Sequence, residues 1–402
     1  MSSGPRQVAV VGAGPSGLAV ALLLARQGRR VVVHERFEAA GPVGAGFILQ
    51  PTGLAVLSVL GVETQARALG QPLERLIGRE ARRGRVVLDI GYDHPGEALG
   101  MHRAALFDIL HRACVQAGVD FETGRAVDGA GGGRLAFADG SRSPAFDLVV
   151  DASGARSTIA ADLPAMRLPL AWGAIWATTP WPGAPFDPTA LQQVYRGAAR
   201  MIGVLPVGRR PGEAEPVATF FWSLKHADHA AWRAAGLAPW KAEVLALWPE
   251  VAPVLDAFDH PDQLTLARYG HHTLSRPAGD RLAVIGDAAH ATSPQLGQGV
   301  NMGLLDALAL AQAIQRRGDD LGDALDAYCA ARRWHVRLYQ ALSWGFTPFY
   351  QADGRFLPWV RDHVLGKLAR LPLADRLLHA TVAGLLLNPL SGASDADPGS
   401  RS

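Results

Sequence analysis

Cysteine is nearly absent: Cys114 and Cys329 are the only two in 402 residues, and they lie far apart. That excludes a disulfide framework and a cysteine metal cluster, leaves no metal site to expect, and suits a reducing, cytoplasmic setting. Long hydrophobic runs are missing too. No uninterrupted stretch of about 18 apolar residues occurs, so no transmembrane segment is expected. The first apolar run already reads as a strand, so no cleavable signal is expected before it. Charge of one sign is equally scarce: the formal net charge is +2 with scattered arginines, which argues against a nucleic-acid stripe or a polybasic membrane patch. There is no internal repeat. The low-complexity stretches are residues 129–133, rich in glycine, and residues 391–402, read as a disordered tail. These absences leave a globular chain whose partners are small molecules. Its length allows two or three domains, and 49% hydrophobic residues suffice for a substantial core.

What is present begins at residue 8. Residues 8–11 read as a strand, and Gly12, Gly14 and Gly17 follow in a turn that opens an apolar helix at Pro15 and Ser16. Residues 30–34 form a second strand, which ends at Glu35 and Arg36. Each glycine has its own use: Gly12 makes the tight turn, Gly14 lets backbone approach a pyrophosphate, and Gly17 lets the helix pack closely on the strand. The helix N-terminus favours an anion by roughly 0.3–1 kcal/mol. Leu18, Ala21, Leu22 and Ala25 make its buried face. Glu35, 21 positions after Gly14, is placed to accept hydrogen bonds from a ribose diol and to repel a 2′-phosphate, so FAD or NAD fits this site and NADP does not. An ordinary glycine-softened turn is the plainer alternative, disfavoured by the whole strand, turn, helix, strand, Glu arrangement.

Further along, residues 74–92 read as a hairpin turning at Arg83 and Gly84, with Arg79, Arg82, Arg83 and Arg85 on a solvated edge. Residues 134–151 read as a second hairpin turning at Asp139 and Gly140. Between residues 165 and 270 the periodicity becomes two, which implies a separate, aromatic-rich sheet. Trp172, Trp176, Phe220 and Trp222 are its candidate pocket walls, with plain core as the alternative. Residues 304–314 and 321–342 have helical spacing. Residues 282–285 form a short buried strand that delivers Asp287 to a sheet's C-terminal edge, where open α/β sheets bind ligands. Asp287 is thus placed to bind a sugar-like hydroxyl. Pro294, Gly297, Gln298, Gly299, Val300 and Asn301 then lead into a helix whose first amides can stabilise negative charge on an electron-accepting ring.

With both segments in view, the chain resembles the class A flavoprotein monooxygenases, the p-hydroxybenzoate hydroxylase-like family, over most of residues 8–340. The resemblance implies an α/β fold: a Rossmann-like FAD-binding domain of that type, an inserted antiparallel-sheet substrate domain and a C-terminal helical segment. The expected division is 1–73, 101–165 and 270–342 for the FAD-binding domain, 74–100 and 166–269 for the substrate sheet, and 343–390 for the helical segment. That last part is read as a cover over the substrate pocket, with interfacial membrane contact as the alternative. By the same resemblance Glu35 would hold the adenosine ribose, Asp287 the ribityl chain, the loop from Pro294 through Gly297 to Asn301 the isoalloxazine, and Arg103 the phosphate and ribityl part. One family signature is altered. Where the pattern runs roughly G-A-D-G-x-x-S-x-x-R, this chain has DASGARSTIA over residues 151–160, with Ser153 for the usual Asp and Ala160 for the usual Arg.

The resemblance further implies that NADPH or NADH reduces FAD, that dioxygen forms a C4a-hydroperoxide, and that one oxygen atom passes to an aromatic or polyketide-like substrate of the kind found in secondary metabolism. Ionising a phenol calls for a base, for which Tyr269, His271 and His272 are the candidates, a hydrogen-bonded structural role being the alternative for each histidine. Pro294 would shape the ring's surroundings, and His290 would pack near the cofactor. The chain is expected to act as a monomer or homodimer. Competing readings share the scaffold: Baeyer-Villiger oxygenation, or a flavin dehydrogenase of the geranylgeranyl-reductase type, which often carries a similar DASG stretch. A flavin-dependent halogenase is disfavoured because no lysine lies between Gly17 and Leu224. A non-catalytic flavin-binding protein is the blandest alternative.

Overall fold

The computed structural model describes residues 5–38, 45–317, 320–365, 372–387 and 390. The expected disordered tail, residues 391–402, lies outside the described residues. Two large sheets dominate. The first has six strands in the spatial order Ala278–Gly279, Leu282–Val284, Leu148–Asp151, Gln7–Val11, Arg30–Glu35 and Asp120–Thr123. All its pairs are parallel except the edge pair of Ala278–Gly279 with Leu282–Val284. Its strands are apolar on both faces, as burial between two layers requires. Val8, Val10, Leu148 and Val150 pack against the helices Pro15–Arg26, Arg103–Gln116 and Gly299–Arg317. Ala9, Val11, Val149 and Val284 pack against Leu135, Phe137 and Phe146 on the other side.

The second sheet has seven strands, in the order Thr265–Leu274, Ala165–Pro180, Pro216–Lys225, Arg200–Arg209, Ala190–Arg196, Arg75–Glu80 and Val86–Gly91. The hairpin over residues 74–92 supplies its last two strands, turning at Gly84 with φ +64°. The strand Thr265–Leu274 runs through the boundary drawn at 269/270, and the helix Leu321–Tyr350 through that at 342/343. One sheet face carries Ile175, Phe220 and Trp222 into a core with Trp240 and Phe258. The other face carries Trp176 and Phe221, which are directly paired.

The hairpin expected over residues 134–151 forms only around its turn, where Ala136 bridges Arg142 in antiparallel fashion. Asp139 and Gly140 do turn, with Gly140 N donating to Phe137 O at 2.9 Å. However, Arg134–Phe137 pairs back on Val127–Gly131 through Gly132 and Gly133, while Leu148–Asp151 joins the parallel sheet beside Gln7–Val11. The LVVD run is apolar toward both sides, which suits a strand buried between layers. Among the described residues, no helix is long and apolar enough to cross a membrane.

A buried ionic node ties the second signature to this framework. Asp306 is 0% exposed; it accepts hydrogen bonds from Gly286 N at 2.9 Å, His290 Nε2 at 2.5 Å and Arg332 Nε at 2.7 Å. Burial by itself pushes its carboxyl upward, but His290 and Arg332 beside it overcome that and hold it below the ordinary carboxylate range. Arg332 Nη1 also donates to His335 Nδ1 at 3.3 Å, and His335 Nε2 to Gly384 O at 3.1 Å, which carries the node into the C-terminal segment. Burial first, and Arg332 second, push His335 down to about 4. Burial, then Arg210, does the same to His102, also to about 4.

Two outcomes follow from these buried groups. Asp306→Asn leaves Arg332 buried without its carboxylate and should cost about 3–5 kcal/mol of stability, read by urea unfolding. Because His335 and His102 stay neutral in the folded chain while their unfolded counterparts protonate near 6.5, the unfolded state binds more protons between pH 6.5 and 4. The melting temperature should therefore be level above pH 6.5 and fall as pH drops toward 4; a level profile through that window would contradict the assignment.

Candidate active site

The first glycine turn shows three different constraints. A Cβ on Gly12, which has φ +102°, would lie 2.6 Å from Ala152 O, and one on Gly17 would lie 2.0 Å from Gly12 O. Gly14 has no protein atom within 4 Å of such a Cβ. Crowding thus explains Gly12 and Gly17, whereas the space at Gly14, the N-cap of the Pro15–Arg26 helix, opens outward. That is the arrangement a pyrophosphate needs at a helix N-terminus. Ser16 lies beneath the second signature, its Oγ 2.7 Å and 2.1 Å from the positions where Cβ atoms of Gly286 and Gly303 would stand. Glu35 Oε2 accepts from Ala13 N at 2.9 Å, so its carboxylate borders the turn. Arg36, next to Glu35, is exposed, with its guanidinium 4.8 Å from the centre of the Phe37 ring.

Gly286 turns at φ +60° and presents Asp287 as the first residue of the short helix Asp287–His290. Arg103 starts the helix Arg103–Gln116, capped by His102, whose Nδ1 accepts from Ala104 N at 3.1 Å. The Arg103 side chain is exposed where it opens onto the cleft; desolvation by the cleft walls lowers its pKa, and the Asp287 carboxylate raises it. Neither side chain forms an ion pair within 4.0 Å among the described residues. A cation and a carboxylate brought together without direct pairing suit a ligand that carries both phosphate and hydroxyls. The residues present therefore fit the adenine dinucleotide of FAD.

The loop after Asp287 runs through Pro294 and Gly297, the latter left-handed at φ +62°, into Gly299–Arg317. The amides of Gly299, Val300 and Asn301 precede the first intrahelical bond and are free to face an anionic ring. The Asn301 side chain does other work: Oδ1 accepts from Gln50 N at 3.0 Å, and Nδ2 donates to Ile48 O and Gly297 O at 3.2 and 3.0 Å. It clamps the loop, so only its backbone is available to a cofactor. Gly297 and Pro294 line the adjoining cavity, which measures about 1430 Å³.

Tyr269, His271 and His272 all reach that cavity, in three different states. Tyr269 accepts a hydrogen bond from Trp176 Nε1 at 2.5 Å, and burial pushes its pKa upward, so it remains a protonated donor. His272 Nε2 donates to Ala288 O at 3.0 Å, which ties the ring to the Asp287–His290 helix and leaves Nδ1 as its acceptor nitrogen. His271 is buried between Thr292 Oγ1 at 3.4 Å and Thr347 Oγ1 at 3.5 Å, and burial lowers its pKa, which keeps it neutral. Of the four aromatic wall candidates only Trp176 lines the cavity; Phe220 and Trp222 point to the opposite core, and Trp172 is buried elsewhere. Phe221 takes the wall position instead.

In the altered segment, Asp151 accepts from Ser153 N at 3.0 Å and Ser153 Oγ at 2.6 Å, and from Ser157 Oγ at 2.5 Å. Ser153 thus closes the turn on a neighbouring carboxylate. Arg167 reaches back to Ala160 O at 3.2 Å and Ala161 O at 2.8 Å and lines the cavity, so a cation stands close to the position where the family arginine is replaced. Arg167, Phe221, Asp306 and Arg332 escaped the sequence reading. Asp306 alone left a trace, as a charge in an otherwise apolar helical stretch.

The sequence pattern of the FAD binding domain family matches residues 6–341. The chain is 32% identical to 6-methylpretetramide 4-monooxygenase of Streptomyces rimosus, with 94% of this chain and 92% of that protein covered. It is 28% identical to aurachin C monooxygenase/isomerase of Stigmatella aurantiaca, with 95% and 98% covered. In fold it is similar to Klebsiella pneumoniae HpxO, solved with FAD and uric acid, at a TM-score of 0.79, 21% identity and coverage of 96% and 98%. The two glycine signatures, the paired sheets and these likenesses agree: the chain belongs to the FAD-binding family of class A flavoprotein monooxygenases and is an FAD-dependent oxidoreductase.

Proposed function

We propose that this protein hydroxylates an electron-rich aromatic or fused-ring, polyketide-like molecule with NADPH or NADH as reductant. The observation that carries the reading is the single cavity joining Arg103, Pro294 and Gly297 at the cofactor end to the aromatic floor at Trp176 and Phe221. The Streptomyces rimosus relative, a 6-methylpretetramide 4-monooxygenase, supports the substrate class. When bound, FAD supplies the electron transfer and the oxygen chemistry. Glu35, the Gly14 turn, Asp287 and Arg103 would hold it.

The protein's own work is placement and protection. Trp176 fixes the Tyr269 hydroxyl by donating to its oxygen, which leaves the Tyr269 proton to point at a substrate oxygen. A donor there orients the substrate ring, and the positive charge of Arg103 nearby favours a phenolate over a phenol. Two imidazoles stand at the cavity to accept that phenolic proton: His271, both of whose ring nitrogens face threonine hydroxyls, and His272, whose Nδ1 is the acceptor when Nε2 donates to Ala288 O. The apolar walls keep water from the reacting centre.

The test couples anaerobic flavin bleaching by NADPH, then NADH, to product analysis under labelled dioxygen, with and without a panel of phenols and fused-ring quinols. The expected result is bleaching accelerated by at least one ring substrate and one labelled oxygen atom in its product. Reduction followed by an oxidised but unlabelled product would establish a dehydrogenase instead.

A further inference from the structure

The floor of the cavity is longer than an aromatic ring requires. One cross-strand row, Trp176, Phe221, Gly203, Gln193, Gly78 and Leu88, runs over six strands with every neighbour directly paired. Paired residues share a face, so the whole row lies on the cavity side. Five inter-strand steps of ~4.8 Å make it about 24 Å long. Two glycines clear its middle. A Cβ on Gly203 would lie 2.0 Å from Phe221 Cζ, and one on Gly78 would lie 2.4 Å from Tyr195 Cε2, so those rings lie flat across the sheet.

Beyond the rings the floor becomes aliphatic. Leu205, Leu191, Leu76 and Ile90 each stand two residues from the row, on the same face, with Leu191 paired to Leu76 and Leu76 to Ile90. The roof over them is the helix Pro372–Ala383, whose Leu378 and Val382 join the same apolar cluster. This roof is tied down at several points. Gln298 of the flavin loop donates to Val382 O, and His379 Nε2 lies 3.3 Å from Glu97 Oε1. The cavity therefore has a polar, cofactor-facing head, where Arg103 and Tyr269 stand, and an apolar far end between two fixed walls.

We propose that this far end is a tail subsite, and that the substrate is an aromatic head group bearing a long aliphatic chain, which lies across Leu205, Leu191, Leu76 and Ile90 beneath Leu378 and Val382. The inference rests on the monooxygenase reading for its head group. A compact polar ring leaves this strip uncovered; an alkyl or prenyl chain buries it, and each methylene removed from water adds affinity.

The experiment titrates the oxidised FAD-loaded protein with 2-alkyl-4-quinolones carrying chains of one, three, five, seven and nine carbons, and reads Kd from the perturbed flavin spectrum. Binding of the oxidised form needs no turnover, so a failed oxygenation reading and a failed tail reading give separate results. Kd should fall about two- to fourfold per methylene through at least seven carbons. Leu191→Trp, and independently Val382→Trp, should abolish that dependence while the Kd of the methyl compound stays within twofold of wild type. A Kd independent of chain length, no spectral response to any member, or an unchanged dependence in both variants would overturn the proposal.

Discussion

Three stretches of backbone meet at the first glycine turn, and the cofactor end of the molecule depends on how closely they approach. The Gly17 helix lies on Gly12, and Gly12 lies on Ala152, at distances that leave no room for a methyl group. The helix N-terminus is thereby drawn against the end of the parallel sheet, and Gly14 is left facing open space. Ser16, one residue before Gly17, presses against Gly286 and Gly303, so the same approach fixes the second signature relative to the first. The charges then follow from position: Glu35 ends one strand, Asp287 follows another, and Arg103 begins a helix packed in the core of the parallel sheet.

The Asp306 node performs the corresponding task from the interior. It binds the Gly286 amide, His290 and Arg332, and through His335 it reaches the segment that roofs the substrate end. Cofactor loop and roof are therefore parts of one connected network, with Gln298 as the direct link between them. A roof fixed in this way explains how one cavity can have a polar head and an apolar end without collapsing onto the sheet.

Much of this was legible in the sequence where chemistry forces a residue type at a spacing. The strand, glycine turn, helix and Glu35 are local, and their geometry follows from steric rules at single positions. Asp287 at a strand end and the 74–92 hairpin are of the same kind. The rest depends on register or on distant partners. Phe220 and Phe221 are adjacent in sequence, and strand parity sends one to the core and the other to the cavity; composition does not distinguish them. His272 stood out as a titratable group, but nothing local reveals that its Nε2 is tied to Ala288 O. Residues 134–151 resembled a hairpin because their turn is genuine, but the partner of Leu148–Asp151 lies some 140 residues earlier in the chain, at Gln7–Val11. Asn301 fell in the right loop, and its side chain holds that loop in shape.

The central claim is that backbone crowding at Gly12 and Gly17 creates the cradle for the dinucleotide. It is tested most directly by the FAD affinity of the Gly17→Ala variant, measured by flavin fluorescence on refolded apoprotein with far-UV circular dichroism as the control for folding. An added methyl forced against Gly12 O should cost roughly 1–3 kcal/mol, and so weaken FAD binding about 5- to 150-fold with the secondary structure retained. Wild-type affinity and stoichiometric FAD in that variant would contradict the account.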